Sequence, residues 1–184
     1  MLFASWIPGS HSDLTDEYAA VRKEMESVAE YLGKSVLREV DEDEFMKNIA
    51  DIRSSCGDRA VLRAMHFYGD NARVEKQAAA LKAGDFETFK KYIIESGRSS
   101  YMYNQNVYSC KKASEQPVSL ALSLSEKLLD GCGAWRVHGG GFAGTIQAFV
   151  PLNKLDEYKD LMEKVFGSGS CYILSVRPVG GVEL

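Results

Sequence analysis

The sequence lacks the features that mark nucleic-acid-binding and membrane-spanning proteins. Its 184 residues carry 22 lysines and arginines against 26 aspartates and glutamates, so we expect no basic footprint for nucleic acid. No apolar run approaches the roughly 20 residues that a membrane-spanning helix needs, and we expect no membrane partner. The first residues, MLFASWIPGS, show no basic segment followed by an apolar one, which predicts no signal peptide.

Cysteine and histidine patterns are also sparse. The four cysteines stand at positions 56, 110, 132 and 171, with no C-x-x-C pair and no histidine at zinc-site spacing. Widely spaced, reduced cysteines are typical of cytoplasmic proteins, so we expect a cytoplasmic location. What is present is an ordinary composition of 45% hydrophobic and 26% charged residues, which predicts one globular domain with its own core.

Hydrophobic periodicity predicts helices before Cys132 and a mixture of strands and helix after it. The predicted helices cover residues 15–31, 42–52, 57–83, 117–130 and 153–166, with another beginning after Asp85. The predicted strands cover residues 135–138, 145–150, 172–176 and 179–183. This order gives an α+β fold of two layers, with helices packed on a small antiparallel sheet.

Side-chain positions follow from the same periodicity. Thr15 and Asp85 are predicted to be the N-caps of their helices, since their side-chain oxygens can accept from the first-turn amides. In helix 57–83 the apolar stripe includes Leu81, which we expect to face inward, whereas Arg63 is predicted to be exposed.

A run of three glycines between two apolar segments is the most distinctive feature of the sequence. The turn that it predicts contains Gly139, Gly140, Gly141, Phe142 and Gly144. Glycine reaches backbone conformations closed to other residues, so a tight hairpin with outward-pointing amides could receive an anion. A purely structural hairpin is the commoner use of such a turn. No G-x-x-x-x-G-K-[ST] motif is present and no helix begins directly after the glycines to favour phosphate.

Histidines and arginines offer further candidates, each with a structural alternative. His138, beside the turn, could act as a base or hold a phosphate, and His66 is expected to pack at a helix interface. The group His11, Asp13 and Asp16 could bind a metal or serve as caps and turns. The arginines that could meet phosphates or carboxylates are Arg98, Arg136 and Arg177. No nucleophile–base pair can be identified.

Three segments together resemble the superfamily of galactokinase, homoserine kinase, mevalonate kinase and phosphomevalonate kinase. GGGFAG (139–144) resembles that superfamily's third conserved motif, GGGFGG. SHSDLTDEYAAVRKEM (10–25) resembles the helix that enters the C-terminal half of galactokinases. LRAMHFYGDNARVEKQAAALKAGD (62–85) resembles a further galactokinase helix, with matches at His66, Asn71, Arg73, Ala80, Leu81, Gly84 and Asp85.

The resemblance implies a galactokinase-like C-terminal domain with a ferredoxin-like α+β fold over residues 10–184. Residues 1–9 would be a non-matching lead-in, for which the sequence shows no pairing partner. In such kinases the N-terminal half holds the PxxxGLSSSA phosphate loop and the arginine and aspartate that act on the sugar. These motifs do not occur here, so the resemblance implies that the N-terminal kinase domain is the missing partner.

The implied complete enzyme is an ATP:sugar 1-phosphotransferase that uses ATP with Mg2+ and takes galactose or a related sugar. The glycine turn 139–144 would line the nucleotide side of its interdomain cleft. For the chain alone we expect no catalytic residue, no metal site, no tightly bound cofactor and no measurable activity.

Two departures from the family pattern bear on these expectations. Ala143 replaces a glycine of the motif, and SSYMYNQNVYS (99–109) replaces the more charged S-[LM]-R-D-x-[YF], which leaves the sugar undecided. The tyrosines and amides of this segment are typical of a recognition surface or of an internal interface. The alternative function is a non-catalytic sugar-binding or interaction module, whose uncovered interdomain surface would associate with a second copy.

Overall fold

The predicted α+β class is confirmed by the computed structural model, which describes residues 2–6, 14–142 and 144–175. The strands are β1 Leu2–Trp6, β2 Ala134–His138, β3 Thr145–Phe149 and β4 Cys171–Leu174. The helices are α1 Thr15–Tyr31, α2 Glu42–Lys47, α3 Ile49–Cys56, α4 Asp58–Ala83, α5 Phe86–Ser99, α6 Pro117–Leu129 and α7 Leu155–Phe166. A five-residue π-helix, Ser100–Asn104, continues directly from α5.

The strands form one antiparallel sheet in the order β2-β3-β1-β4. His138 pairs with Thr145, so β2 and β3 form the predicted hairpin around the glycine turn. β1 lies between β3 and β4, and the sheet therefore supplies the first residues with two partners where the sequence showed none. Whether residues 1–9 fall outside the family resemblance stays a prediction.

The core has two main parts. One lies between the sheet and the helices α6 and α7, where Leu129, Ile146, Tyr158 and Met162 are fully buried. The other lies inside the bundle of α1 to α4, around Val28, Phe45, Ile52 and Ala64. Apolar residues three and four apart on each helix build both parts, as the sequence periodicity predicted.

Several local predictions are corrected. The predicted helix 42–52 is two helices, since Asn48 ends α2 and its carbonyl then receives the first amides of α3. Thr15 begins α1 but is not its cap, because Leu14 occupies that position. Asp85 does cap α5, accepting from the Thr88 amide at 3.0 Å. Leu81 is 47% exposed instead of facing inward, because only the first half of α4 packs on the bundle.

The predicted exposure of Arg63 is also wrong, since this side chain is completely buried. All four cysteines lie in the described part of the chain and are unpaired. Among the described residues, no helix is both long and apolar enough to cross a membrane. The same residues contain no group of three histidines, cysteines or carboxylates close enough to hold a metal ion.

Candidate functional site: the glycine turn and its supports

The glycine turn joins β2 to β3 at one end of the sheet. Its backbone has positive φ at Gly139 (68°), Gly141 (80°), Phe142 (56°) and Gly144 (129°). Such φ values are strained for residues with a Cβ, which explains most of the glycines and makes Phe142 an exception that needs support. Ala143, which replaces a glycine of the motif, lies outside the described residues.

Two residues distant in the sequence supply that support. The Phe142 amide donates to the backbone carbonyl of Asn106 at 2.6 Å, and the Asn106 side-chain amide donates to the Gly140 carbonyl at 3.2 Å. From α1, the Tyr18 hydroxyl donates to the Gly141 carbonyl at 2.8 Å. The rings of Tyr18 and Phe142 meet edge to face, with their centres 5.3 Å apart.

The three consecutive glycines are required for different reasons. At Gly141, a Cβ would overlap the backbone oxygen of Asn106. At Gly140, it would lie 2.6 Å from Cε1 of Tyr18, closer than real Cβ atoms approach. At Gly139 it would meet no atom within 4 Å, so only the positive φ favours glycine there.

The five residues predicted to bind a nucleotide differ in accessibility. Gly139 and Gly140 are exposed, whereas Gly141, Phe142 and Gly144 are buried. The amide of Phe142 points at Asn106 and not outward. Contact with a ligand is therefore open to Gly139 and Gly140 first, and nucleotide binding by the five residues stays a prediction. His138 is exposed next to them.

The segment that carries Asn106 has unusual backbone geometry. The π-helix at its start ends at Gln105, which has a positive φ of 53°. A π-helix widens the helical turn and is frequent at functional sites. Here this geometry is followed by Asn106, which lies directly against the glycine turn.

Buried polar contacts tie this segment to α1 and α4. Arg63 donates from Nε to the Asn104 carbonyl at 3.1 Å and from Nη1 to Glu24 Oε2 at 2.9 Å. Burial lowers the pKa of Arg63, and the nearby Glu24 carboxylate opposes that effect. At the other end of the segment, the Ser109 hydroxyl donates to Glu17 Oε1 at 2.7 Å, with both residues buried.

Sequence reasoning missed the supporting role of these residues. Tyr18 falls among the apolar positions of α1, whose spacing does not indicate the contact that its hydroxyl makes, and Arg63 was predicted to be exposed. Helical spacing could have indicated otherwise for Arg63, since it lies three residues after Ala60 and next to Ala64, both fully or almost fully buried. Asn106 lies in the segment 99–109 that the sequence did single out as a recognition surface or an internal interface.

His66 has the interfacial position predicted for it. Its Nδ1 lies 2.9 Å from the Ser99 hydroxyl, which joins α4 to α5. Burial lowers the pKa of His66, although Asp70 nearby acts in the opposite direction. Burial would raise the pKa of Asp70, but hydrogen bonds from Ser96 and Arg73 outweigh it and the pKa is lowered.

The remaining candidates do not converge on the turn. Arg98 forms an exposed pair with Glu126 at 3.3 Å, and Asp16 forms another with Lys111 at 3.1 Å. Burial lowers the pKa of Arg136, which packs under α5. The predictions for His11, Asp13 and Arg177 fall outside the described residues.

Comparison with known proteins places these features in a family context. No family model matches the chain. The chain is 32% identical over 174 residues to the galactokinase of Homo sapiens, and 31% identical over 164 residues to that of Bos taurus. It is 26% identical over 152 residues to the galactokinase of Mannheimia succiniciproducens. These alignments cover 95%, 89% and 83% of the chain, respectively.

The relatives are much longer than the chain. It spans 41%, 39% and 37% of the human, bovine and bacterial galactokinases, respectively. Among solved structures, the galactose complex of Lactococcus lactis galactokinase superposes on 93% of the chain with a TM-score of 0.66 at 21% identity. The superposition covers 43% of that structure and shows a shared fold.

Proposed function

We propose that this chain, which is related to the C-terminal domain of galactokinases, serves as that domain in a galactokinase-like ATP:sugar 1-phosphotransferase. It would act with a second domain of the kind that makes up the rest of its relatives' length. ATP with Mg2+ would be the cofactor and galactose or a related sugar the substrate. We also propose a cytoplasmic location, in keeping with the four unpaired cysteines.

The observation that carries this proposal is the conformation of the glycine turn. Its positive-φ backbone is fixed from behind by Tyr18 and Asn106, and Gly139 and Gly140 are left exposed at its tip. Phosphoryl transfer depends mainly on positioning and on stabilising charge around the nucleotide. A rigid, side-chain-free tip is suited to pack against a phosphate-binding loop on a facing domain and to close the cleft around the nucleotide.

The turn can contribute only one wall of such a cleft. Among the candidate residues described above, the contact of His66 with the Ser99 hydroxyl is buried between α4 and α5, and His138 alone lies beside the turn. We therefore propose that the chain by itself transfers no phosphoryl group and binds ATP weakly.

The test is an ADP-release assay with ATP, Mg2+ and galactose. The purified chain should give no sugar-dependent ADP. Activity should appear when the chain is supplied with a separately produced domain that carries a PxxxGLSSSA loop, encoded with it or next to it. Sugar-dependent ADP release by the chain alone would contradict the proposed division of labour.

A variant with a charge at the tip of the turn tests whether the turn takes part in the activity. Gly139→Asp adds a carboxylate at an exposed position where no atom lies within 4 Å, so repulsion of phosphate should abolish activity, and the only strain in the fold is that of a Cβ at positive φ. Gly169→Asp is the matched control, because Gly169 is also an exposed glycine with positive φ and free space. Equal activity of the two variants would remove the turn from the active site.

The alternative, a non-catalytic interaction module, is favoured by one observation. A hollow of about 970 Å³ beside the sheet is lined mainly by apolar groups, and several are exposed. Phe86 is 63% and Leu152 68% exposed there. Light scattering after size-exclusion chromatography tests it. A dimer that Phe86→Asp dissociates supports association through this surface, and a monomer at high concentration contradicts it.

A further inference from the structure

A cleft of about 370 Å³ lies between α6 on one side and α5 with the π-helix on the other. Residues of strand β2 line it as well. Its volume falls within the range of small-molecule sites, which are mostly apolar with a few fixed polar groups. The apolar lining consists of Ile94, Tyr101, Met102, Leu122 and Trp135.

The π-helix segment has two different sides. Tyr101 and Met102 line the cleft and are 41% and 60% exposed. Asn104 and Asn106 are buried, and Asn106 supports the glycine turn. The exposed residues of segment 99–109 are therefore free to contact a ligand in the cleft, while the buried ones form internal contacts.

The group without a partner in this cleft is the indole N–H of Trp135. Trp135 is only 7% exposed, and a buried tryptophan N–H usually donates a hydrogen bond. Among the described residues, none accepts from the indole nitrogen, yet that nitrogen is not one of the side-chain atoms that are sealed from solvent without a partner. Since Trp135 lines the cleft, its N–H remains accessible to an acceptor that a ligand supplies.

The charges of the wall favour a negatively charged acceptor. Two arginines, Arg98 and Arg136, line the cleft against one carboxylate, Glu126. Arg98 Nη2 lies 3.3 Å from Glu126 Oε1, and both side chains are largely exposed, so this pair is weak. Arg136 donates from Nε to the Val137 carbonyl at 3.1 Å. Asp70 on α4 acts on its charge, but in the described part of the chain Arg136 forms no ion pair. The wall therefore keeps an excess of positive charge.

We propose that this cleft binds a small aromatic carboxylate. The aromatic body lies against Leu122 and Met102, the carboxylate accepts from the Trp135 indole N–H, and Arg98 attracts it from the rim. A charged acceptor forms a stronger hydrogen bond than a neutral one, so the carboxylate distinguishes this ligand from other flat molecules. The site does not depend on the phosphotransferase function proposed above.

The probes are 2-naphthoate and 2-naphthamide, which share one shape and differ in charge. Titrations of the nitrogen-15-labelled chain are followed by NMR through the indole N–H signals of its two tryptophans. The signal of Trp135 is the one that remains in Trp6→Phe. Naphthoate should bind saturably, at least about five-fold more tightly than the amide, and should move the Trp135 signal to lower field. Equal affinities, no binding of naphthoate, or binding that leaves the Trp135 signal in place would overturn the proposal.

A substitution tests the charge of the rim. Arg98→Gln removes one positive charge from the cleft, so it should weaken naphthoate binding by about three-fold and leave binding of the amide unchanged. Arg22→Gln is the control, because Arg22 is also an exposed arginine in an ion pair, 2.7 Å from Glu26, and does not line the cleft. Both substitutions remove exposed pairs, so neither should impair folding. Unchanged naphthoate binding in Arg98→Gln, or equal weakening in the two variants, would contradict the proposed site.

Discussion

Replacing Gly141 by alanine should destabilise the chain far more than the same change at Gly139. Both glycines have positive φ, 80° and 68°, so both variants pay the cost of placing a Cβ in the left-handed region, about 1 kcal/mol or somewhat more. At Gly139 that is the whole cost, since no atom lies within 4 Å of the new carbon.

At Gly141 the new carbon would overlap the backbone oxygen of Asn106, and backbone atoms cannot move aside as the end of a side chain can. The turn must lift away from Asn106, which breaks the 2.6 Å bond from the Phe142 amide. That bond is worth about 1 kcal/mol. The lift also separates Phe142 from Tyr18, an aromatic contact worth a further ~1 kcal/mol. We expect a total loss of about 3–4 kcal/mol for Gly141→Ala.

The measurement is urea unfolding of the wild type and both variants, followed by tryptophan fluorescence, since Trp135 is buried in the core on the strand that leads into the turn. Equal dependence on urea in all three proteins would show that the folded state keeps its compactness. Similar destabilisation by the two substitutions would refute the reasoning, because it would mean that φ alone decides and that Asn106 does not hold the turn.

Three further predictions concern stability and reactivity. Arg63→Met should lower the free energy of unfolding by about 3 kcal/mol, because Glu24 loses a buried partner. Arg59→Met, at an exposed pair, is the control and should lower it by less than about 1 kcal/mol in the same urea experiment. Equal losses in the two variants would contradict the structure. Burial lowers the pKa of His66, so the unfolded chain takes up the proton first, and stability should fall as pH drops below about 6.5. Urea unfolding at pH 7 and pH 5 should show a smaller loss for His66→Gln, and an unchanged loss would exclude His66 as the cause. Burial raises the pKa of Cys171 to about 11, so at pH 8 a thiol reagent should modify exposed Cys110 quickly and Cys171 only on unfolding. Mass spectrometry of the labelled peptides measures the order of modification. Early labelling of Cys171 would contradict its burial.

The sequence alone was sufficient for most of the elements. Apolar spacing located α1, α4, α6 and α7 to within a few residues, because a helix that buries one face must repeat its apolar residues every three or four positions. The glycine run located the hairpin, since positive φ favours glycine at Gly139, Gly141 and Gly144. The α+β class followed from the order of these elements, whereas the relationship to galactokinases came from the resemblance of three segments to that family.

Contacts between distant residues could not be read from the chain. Tyr18 meets Gly141 across 123 positions, and nothing in the apolar pattern of α1 shows that its tyrosine hydroxyl serves a turn in the sheet. The burial of Arg63 was hidden for a similar reason. An arginine is placed in solvent by its charge unless a carboxylate and a carbonyl meet it inside, and Glu24 and Asn104 do so only after folding.

The sequence by itself determined which segment forms the glycine turn, whereas tertiary contacts with Tyr18 and Asn106 explain why Gly140 and Gly141 have to be glycine. Only the tertiary structure decided which groups of the turn face inward and which are exposed. Packing against Asn106 and Tyr18 turns the amide of Phe142 inward and leaves Gly139 and Gly140 at the surface. The physical reason is that backbone φ preferences act within a few residues, whereas the direction of an amide depends on which acceptor the fold brings to it.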